Sequence, residues 1–234
     1  MVKVFVLNPV TTDKWDELTL KYLKGVAFPG TEVEVDHIED GPESIERKLD
    51  VVRAEAKVVE KIVEAERRGF DIAMINCFDD PGLHASREAV SMPVLGIGET
   101  SMTMALLLGE KFAIISTGRN SRAVYERRAL EMGIVHRLAY STGINISVLK
   151  LRKDESKVKA MILEEAKKAI EIYGAEVIVL GCSGMIGFSE YLSKKLKVPV
   201  IDPTLLTFKV AEGLGTIGLA HSKVYLYSPP IQTT

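Results

Sequence analysis

Cys77 and Cys182 are the residues of this chain best suited to acid–base chemistry, and no other cysteine occurs in its 234 residues. Each ends the same pattern, a glycine, any residue, an acid, five mostly apolar residues and the cysteine, over 69–77 and 174–182. A thiolate can take a proton from carbon, and a protonated thiol can return one. Two matched thiols therefore suggest racemisation, in which a base acts on one face of a carbon and an acid acts on the other.

The match between the two segments extends in both directions along the chain. Downstream, Met92–Gly96 corresponds to Val198–Asp202, and upstream, Lys3–Pro9 resembles Lys111–Thr117. Internal similarity at a fixed offset is typical of a duplicated structural unit. We therefore expect two related copies, each with a strand near its start and a cysteine at the end of a later strand.

Short apolar runs bounded by Gly, Asp or Pro predict buried parallel strands. We place them near 2–7, 33–38, 71–76, 94–97, 112–116, 135–141, 176–181 and 199–201. Segments with helical spacing lie between them, at 13–24, 43–68, 99–109, 119–132, 155–172 and 203–214. This alternation predicts an α/β fold made of two similar flavodoxin-like parallel-sheet domains, related by a pseudo-twofold.

The clearest helical pattern is the one over 43–68. Its apolar residues recur every three or four positions, at Ile45, Leu49, Val52, Ala56, Val59 and Val63. A stripe with this spacing predicts the helix face that packs against a sheet.

The chain is expected to pass between its two domains more than once. Residues 1–98 with about 205–234 should form the first α/β domain, and residues 99–204 the second. This division places the helix that follows Pro203 across the return to the first domain.

Four predicted strands end in polar or reactive residues, namely Asn8, Cys77, Thr117 and Cys182. In open α/β sheets, ligands bind beyond the carboxyl ends of the strands. A pseudo-twofold would bring both sets of strand ends to one cleft between the domains, with the thiols on opposite sides of a substrate. Two alternatives remain, because a strand-end cysteine is often only a small apolar core residue, and the two thiols could form a disulfide.

Composition and charge exclude several classes of function. The net charge of −2 offers no basic surface for nucleic acid or an anionic membrane. No apolar run has the length of a membrane span, and the N-terminal run is too short for a signal peptide, so we expect a cytoplasmic protein. No cysteine or histidine spacing is typical of a metal site.

Three blocks of sequence resemble the hydantoin/allantoin racemases of the Asp/Glu racemase superfamily. These blocks are Asn8-Pro9, Cys77-Phe-Asp-Asp-Pro-Gly-Leu83 and Gly181-Cys-Ser-Gly-Met185. The amino-acid racemases of the superfamily usually carry Cys-Asn-Thr and Cys-Thr after their cysteines, which this chain lacks. Arylmalonate decarboxylases use only one of the two cysteines, so the intact pair favours racemisation.

The resemblance implies a small-molecule substrate, a two-base mechanism without metal, pyridoxal phosphate or another cofactor, and a homo-oligomer. It implies that Cys77 and Cys182 are the acid/base pair. Asp79 would accept a ring N–H or cap its turn, although it could also be a plain turn aspartate. The residues implied to bind the substrate are Asn8, Phe78, Asp79, Thr117, Gly118, Ser183 and Gly184.

The predicted function is therefore an isomerase that racemises a small carbon acid, with a 5-substituted hydantoin or an allantoin-like ring as the expected substrate. An aspartate/glutamate-type amino-acid racemase or a related isomerase is the first alternative. The second is a protein that binds a small ligand without turnover, because a two-domain α/β chain with a central cleft also suits that role.

Overall fold

The computed structural model describes residues 1–228, and they form two compact α/β units. The first unit comprises Met1–Ile97 and the described chain from Thr207 on, and the second comprises Gly98–Leu206. Residues 229–234, which we assigned to the first domain, lie outside the described residues. Within residues 1–228, no helix is both long and apolar enough to cross a membrane.

The first unit is built on a parallel sheet of four strands, in the order β2-β1-β3-β4. The strands are β1 (Lys3–Asn8), β2 (Glu32–His37), β3 (Ile72–Ile75) and β4 (Val94–Gly96). The two central strands, β1 and β3, are almost wholly buried. Nearly continuous apolar runs suit this position, since both faces of such a strand are covered.

The second unit repeats this topology, with the strand order β6-β5-β7-β8. The strands are β5 (Phe112–Ser116), β6 (Leu138–Gly143), β7 (Val177–Leu180) and β8 (Val200–Ile201). Cys77 and Cys182 thus follow the third position of equivalent sheets, β3 and β7. The two sheets confirm the predicted α/β fold. One predicted strand is displaced, because residues 135–137 form a 3₁₀ turn that precedes β6.

Eight α-helices connect and cover the strands in the described residues. They are α1 (Asp16–Val26), α2 (Lys48–Arg67), α3 (Leu83–Ala89), α4 (Ile97–Ala105), α5 (Ser121–Glu131), α6 (Glu155–Glu171), α7 (Ser189–Leu196) and α8 (Pro203–Ile217). Two of them, α3 and α7, were not predicted from the sequence. Each follows a cysteine and has only seven or eight residues, too few to show a clear apolar period.

Helix α2 packs on the sheet through a different stripe from the predicted one. Its buried residues are Val51, Ala54, Val58, Ile62 and Ala65. Leu49 and Val52 of the predicted stripe are 58% and 53% exposed, and Ile45 is buried but precedes the helix. The two stripes are offset by one or two positions. Both are possible because valines occur in adjacent pairs, so that either member of a pair can continue an apolar stripe. Contact with the sheet, rather than periodicity, selects between them.

Each unit has its own hydrophobic core. In the first, α2 packs against residues of β1, β3 and β4, including Leu7 and Ile75. In the second, α6 packs against residues of β5 and β7, including Ile115 and Leu180. The helix that leads into each cysteine-bearing strand therefore covers the corresponding side of its sheet, and each core supports the strand end where a thiol lies.

Candidate active site

Cys77 lies one residue beyond Asn76 at the carboxyl end of β3, on a tight turn that we call the Cys77 turn (residues 77–82). Its thiol is not in a disulfide and its side chain is half-buried. The Asp80 N–H donates to the Cys77 carbonyl at 3.0 Å, and the Leu83 N–H donates to the Asp80 carbonyl at 3.3 Å. The turn then enters α3 through Gly82, so the thiol sits between a fixed strand and a short helix.

A chain of side-chain hydrogen bonds anchors the strand ends beside Cys77. Asn76 Nδ2 donates to Asn8 Oδ1 at 2.8 Å, and Asn8 Nδ2 donates to Asp16 Oδ1 at 2.6 Å. The other oxygen of Asp16 lies 2.7 Å from His37 Nδ1. Asn8 is 2% exposed and Asn76 is 3% exposed, so this network holds two buried amides in one orientation.

A buried carboxyl group lies under the Cys77 turn. Asp80 is 7% exposed and has a φ of +45°, which is unusual for a residue other than glycine. A Cβ on Gly96, at the end of β4, would lie 2.3 Å from the Asp80 carboxyl carbon. Gly96 therefore leaves the space in which this carboxyl group lies against the neighbouring strand end.

Cys182 occupies the equivalent place at the end of β7, on the Cys182 turn (residues 182–187). Its thiol is also free of a disulfide, and the residue is 8% exposed. The turn begins as a 3₁₀ helix over Ser183–Met185, in which the Met185 N–H donates to the Cys182 carbonyl at 3.1 Å. The predicted disulfide alternative is therefore wrong for this structure.

A carboxyl group holds the Cys182 turn, and here the residue at the end of β8 supplies it. Asp202 Oδ2 accepts the Gly187 N–H at 2.7 Å, and Oδ1 accepts the N–H groups of Thr204 and Leu205 at 3.1 and 3.2 Å. Burial raises the pKa of Asp202 to about 6, although the three N–H donors and the charge of Arg152 act to lower it. Arg152 also donates to the Ile186 carbonyl within the turn.

The residue before Cys182 is anchored differently from the one before Cys77. Gly181 has no side chain, and its carbonyl accepts from Ser116 Oγ at 2.7 Å and from the Tyr125 hydroxyl at 3.4 Å, while its N–H donates to the Ile115 carbonyl at 2.8 Å. Ser116 occupies the place of Asn8 in the repeat. A hydroxyl–carbonyl pair in the second unit thus replaces the amide–amide pair of the first.

The other predicted site residues lie at the strand ends of their own units. In the first, Phe78 is buried and Asp79 is half-buried on the Cys77 turn. In the second, the Thr117 carbonyl accepts the Ile146 N–H at 3.2 Å, and the Gly118 carbonyl accepts the Ser121 N–H at 3.2 Å. Ser183 and Gly184 form the first turn after Cys182.

Several polar residues that support the strand ends were not predicted. They are Asp16, His37, Asn76, Asp80, Ser116, Tyr125 and Asp202. Asp202 carried a signal in the sequence, because the repeat aligns it with Gly96 and a buried strand end has little tolerance for an unpartnered carboxylate. Asp16, Tyr125 and His37 carried none, since their roles depend on contacts across sequence separations of eight or more residues.

No group of three or more His, Cys, Asp or Glu side chains that could hold a metal ion lies in the part of the chain that the structure describes. What each unit presents is one thiol outside any disulfide at a strand end, followed by a hydrogen-bonded turn with backbone N–H groups. A thiolate there could remove a proton from a carbon acid, and backbone donors could stabilise the resulting oxyanion.

Comparison with known proteins identifies the same kind of chemistry. The model of the family described as Asp/Glu/Hydantoin racemase matches residues 4–211. A hydantoin racemase from Paenarthrobacter aurescens is 33% identical over 232 residues, which cover 99% of this chain and 98% of that protein. One from Rhizobium meliloti is 34% identical over 227 residues, which cover 97% and 94% of the two chains.

A solved structure is similar over the whole length. The allantoin racemase from Klebsiella pneumoniae is 32% identical, has a TM-score of 0.93 and is matched over 100% of this chain and 96% of its own. These matches confirm the resemblance that the three sequence blocks indicated.

Proposed function

The chain belongs to the Asp/Glu/hydantoin racemase family, and we propose that it racemises 5-substituted hydantoins or allantoin, a related ring, with two cysteines as acid and base. It is a racemase, an isomerase by class. The observation that carries the choice of substrate is the similarity to hydantoin racemases and an allantoin racemase over nearly all of their lengths. The matched settings of Cys77 and Cys182 support the mechanism.

The proposed reaction needs one proton to leave a carbon and one to return. The hydrogen on the substituted ring carbon is acidic because the adjacent carbonyl spreads the negative charge as an enolate. In one direction the Cys77 thiolate takes this proton and the Cys182 thiol donates its own to the opposite face. In the reverse direction the roles exchange, so the protons balance and neither thiol is consumed.

We further propose how the ring is held. The backbone N–H groups of the two turns, at Phe78 and Asp79 and at Ser183 and Gly184, bind the ring carbonyls, where charge develops in the enolate. The Asp79 carboxylate accepts a ring N–H. Asn8, Thr117 and Gly118 contribute further contacts from the other strand ends. The hydrogen bonds that fix Asn8 support this role, because an oriented amide discriminates between donors and acceptors.

Three broader features belong to the same proposal. No cofactor is needed, because the two thiols supply both proton transfers, and we expect activity to survive dialysis against a metal chelator. The protein works in the cytoplasm, where both thiols stay reduced. It assembles as a homo-oligomer, as the family resemblance implies, and light scattering on a gel-filtration peak measures this directly.

Decay of the circular dichroism of an optically pure 5-substituted hydantoin tests the function. We expect Cys77→Ser and Cys182→Ser each to slow racemisation by at least about 100-fold, because a hydroxyl is a much weaker acid than a thiol. Circular dichroism of the folded protein controls for unfolding. Undiminished racemisation in both single variants would exclude the two-base mechanism.

Proton exchange in deuterated water separates the two thiols. With one base left, each single variant should still exchange the ring proton of one enantiomer, and the two variants should prefer opposite enantiomers.

The same exchange experiment tests the alternative functions. Exchange of the α-proton of aspartate or glutamate would indicate an amino-acid racemase. Thermal stabilisation by hydantoins without any exchange would indicate a binding protein.

A further inference from the structure

We propose that Asp202 is a positioning residue for Cys182: its ionised carboxylate holds the Cys182 turn in place, and its protonation releases that turn. The inference deepens the proposed function and rests on it where activity is concerned, because it assigns a control on one of the two thiols. It concerns only contacts within the second unit.

The carboxylate of Asp202 joins the turn to the start of α8. Its Oδ2 accepts the N–H of Gly187, five residues after Cys182, at 2.7 Å. Its Oδ1 accepts from Thr204 and Leu205, which supply the first backbone N–H groups of α8. Asp202 is 5% exposed, so water does not replace these bonds readily. Gly187 has a φ of +81°, a conformation that the bond from its N–H helps to maintain.

The first repeat has a buried carboxyl group at the corresponding place, supplied by a residue that does not align with Asp202. There the strand end is Gly96 and the carboxyl group comes from Asp80 on the Cys77 turn. In the second repeat the strand end is Asp202 and the turn supplies Gly187. A buried carboxyl group therefore lies between the turn and the next strand end in both repeats, although different positions provide it. What the two copies share is the carboxyl group rather than the residue at a given position.

Ionisation controls the contact because all three partners of Asp202 are donors. Oδ2 has a single N–H partner and is the oxygen that can take the proton, and a protonated oxygen is a much weaker acceptor than a carboxylate oxygen, so the bond from Gly187 weakens. Apart from the Cys182 thiol, the Cys182 turn and the first turn of α8 contain no titratable side chain. Arg152 is the charged group that acts on Asp202 from outside these segments, and its effect favours the ionised form. Burial outweighs it and brings the pKa to about 6, within the range where an enzyme works.

Two substitutions separate the turn contact from the capping of α8. Asp202→Asn keeps an oxygen for Thr204 and Leu205 but turns an amide N–H towards Gly187, and Asp202→Ser keeps a helix cap but is too short to reach Gly187. We expect kcat to fall at least tenfold in both variants, with KM within threefold. The acid limb of kcat near pH 6 should disappear. Asp154→Asn, which changes an exposed cap of α6, is the matched control and should leave kcat and its pH profile unchanged.

Alkylation gives a readout that does not depend on the substrate. In a Cys77→Ser background, Cys182 is the single thiol, and iodoacetamide measures its accessibility. Release of the turn should make Asp202→Asn react about tenfold faster at pH 8. The ratio of the Asp202→Asn alkylation rate to the parent rate should approach one below pH 6, because protonation of Asp202 has then released the turn in the parent as well. Taking the ratio cancels the titration of the thiol itself.

The outcomes separate the two proposals. A rate ratio near one at every pH, together with an unchanged kcat profile, overturns the role of Asp202 even if the protein racemises hydantoins. A pH-dependent ratio in a protein that racemises nothing supports the positioning role and contradicts the proposed function. If Asp202→Asn does not fold, the same comparison is made with Asp202→Ser.

Discussion

Cys77 and Cys182 share a backbone setting but have different polar neighbours. Before Cys77 stands Asn76, whose amide is bound to Asn8 and through it to Asp16. Before Cys182 stands Gly181, whose carbonyl is bound to the Ser116 hydroxyl. Both arrangements satisfy buried polar groups at a strand end, which is a condition for holding a thiol there without loss of stability. The two thiols thus stand at topologically equivalent strand ends that different polar groups anchor.

The titration of Asp202 predicts a pH dependence of stability as well as of activity. Its pKa in the folded protein, about 6, lies above the ordinary value of 3.8 because burial disfavours the charge. Folding therefore favours the protonated form, and the free energy of unfolding should rise as the pH falls from about 6 to 4. The same protonation weakens the bond from Gly187, but Asp202 stays buried when the Cys182 turn is released, so the two effects are compatible. The gain from this one group is about 3 kcal/mol.

Urea titrations of the parent and of Asp202→Asn between pH 4 and 8 measure this contribution. Other carboxylates titrate in the same range, so the quantity of interest is the difference between the two proteins. The free energy of unfolding of the parent should increase relative to that of Asp202→Asn as the pH falls through 6. A difference that does not vary with pH would contradict the raised pKa.

At the scale of elements, the cysteine-bearing segments are more elaborate than a strand followed by a loop. Each continues through a turn into a short helix, α3 or α7, before the next strand begins. Helix α2 shows the second difference, because it buries one of two possible apolar stripes. In both cases a local pattern was compatible with several structures, and packing against the sheet selected one.

The two stripes of α2 can be compared directly with a matched pair of valines. Val58 is fully buried against the sheet, whereas Val52 is 53% exposed on the same helix. We expect Val58→Ala to lower the free energy of unfolding by about 2 kcal/mol, through lost burial and a cavity. Val52→Ala should change it by less than about 0.5 kcal/mol. Denaturant unfolding measures both, and a larger loss from Val52→Ala than from Val58→Ala would mean that the stripe predicted from the sequence is the one that packs.

At the scale of the whole molecule, the chain returns to its first unit through α8. Glu212 is fully buried, accepts the Phe28 N–H at 2.7 Å and pairs with Lys209 Nζ at 2.6 Å. Lys209 in turn donates to the Val26 carbonyl. Beyond the helix, His221 Nε2 lies 2.9 Å from the backbone of Val94 in β4. A segment more than a hundred residues distant in sequence thus completes the unit that contains Cys77.

Removal of the Glu212 carboxylate should weaken the first unit selectively. Glu212→Ala leaves the Phe28 N–H and the Lys209 ammonium without their partner, which should cost about 1–3 kcal/mol. Hydrogen exchange read by mass spectrometry should show faster exchange in peptides of 1–97 and unchanged exchange in peptides of the second unit.

The matched control is Glu190→Ala. Glu190 forms an exposed pair with Lys194 in α7 of the second unit, and such pairs contribute little. We expect no measurable change in the free energy of unfolding or in hydrogen exchange. Faster exchange spread equally over both units in Glu212→Ala would argue against a stabilising role confined to the first.

Much of this protein could be predicted from its sequence because its information is local and repeated. Apolar runs such as Phe112–Ser116 identify buried strands by composition alone, and the repeat places a cysteine after the same strand in each copy. The motif around Cys77 was sufficient to indicate the family. Periodicity could not decide which face of α2 packs on the sheet, since two stripes satisfied it equally. It also could not predict α3 and α7, which are too short to show a period.

Only the tertiary structure revealed the polar contacts that surround each thiol. The bonds of Asn76 to Asn8 and of Gly187 to Asp202 join residues that are far apart in sequence or lie on different elements. Their strength depends on burial and on the direction of each donor, and neither is encoded in residue type. The sequence by itself thus determined the fold, the family and the two thiols. The packing of each unit decided which carboxylates and amides hold those thiols, because only there are these groups withdrawn from water and brought within hydrogen-bond distance.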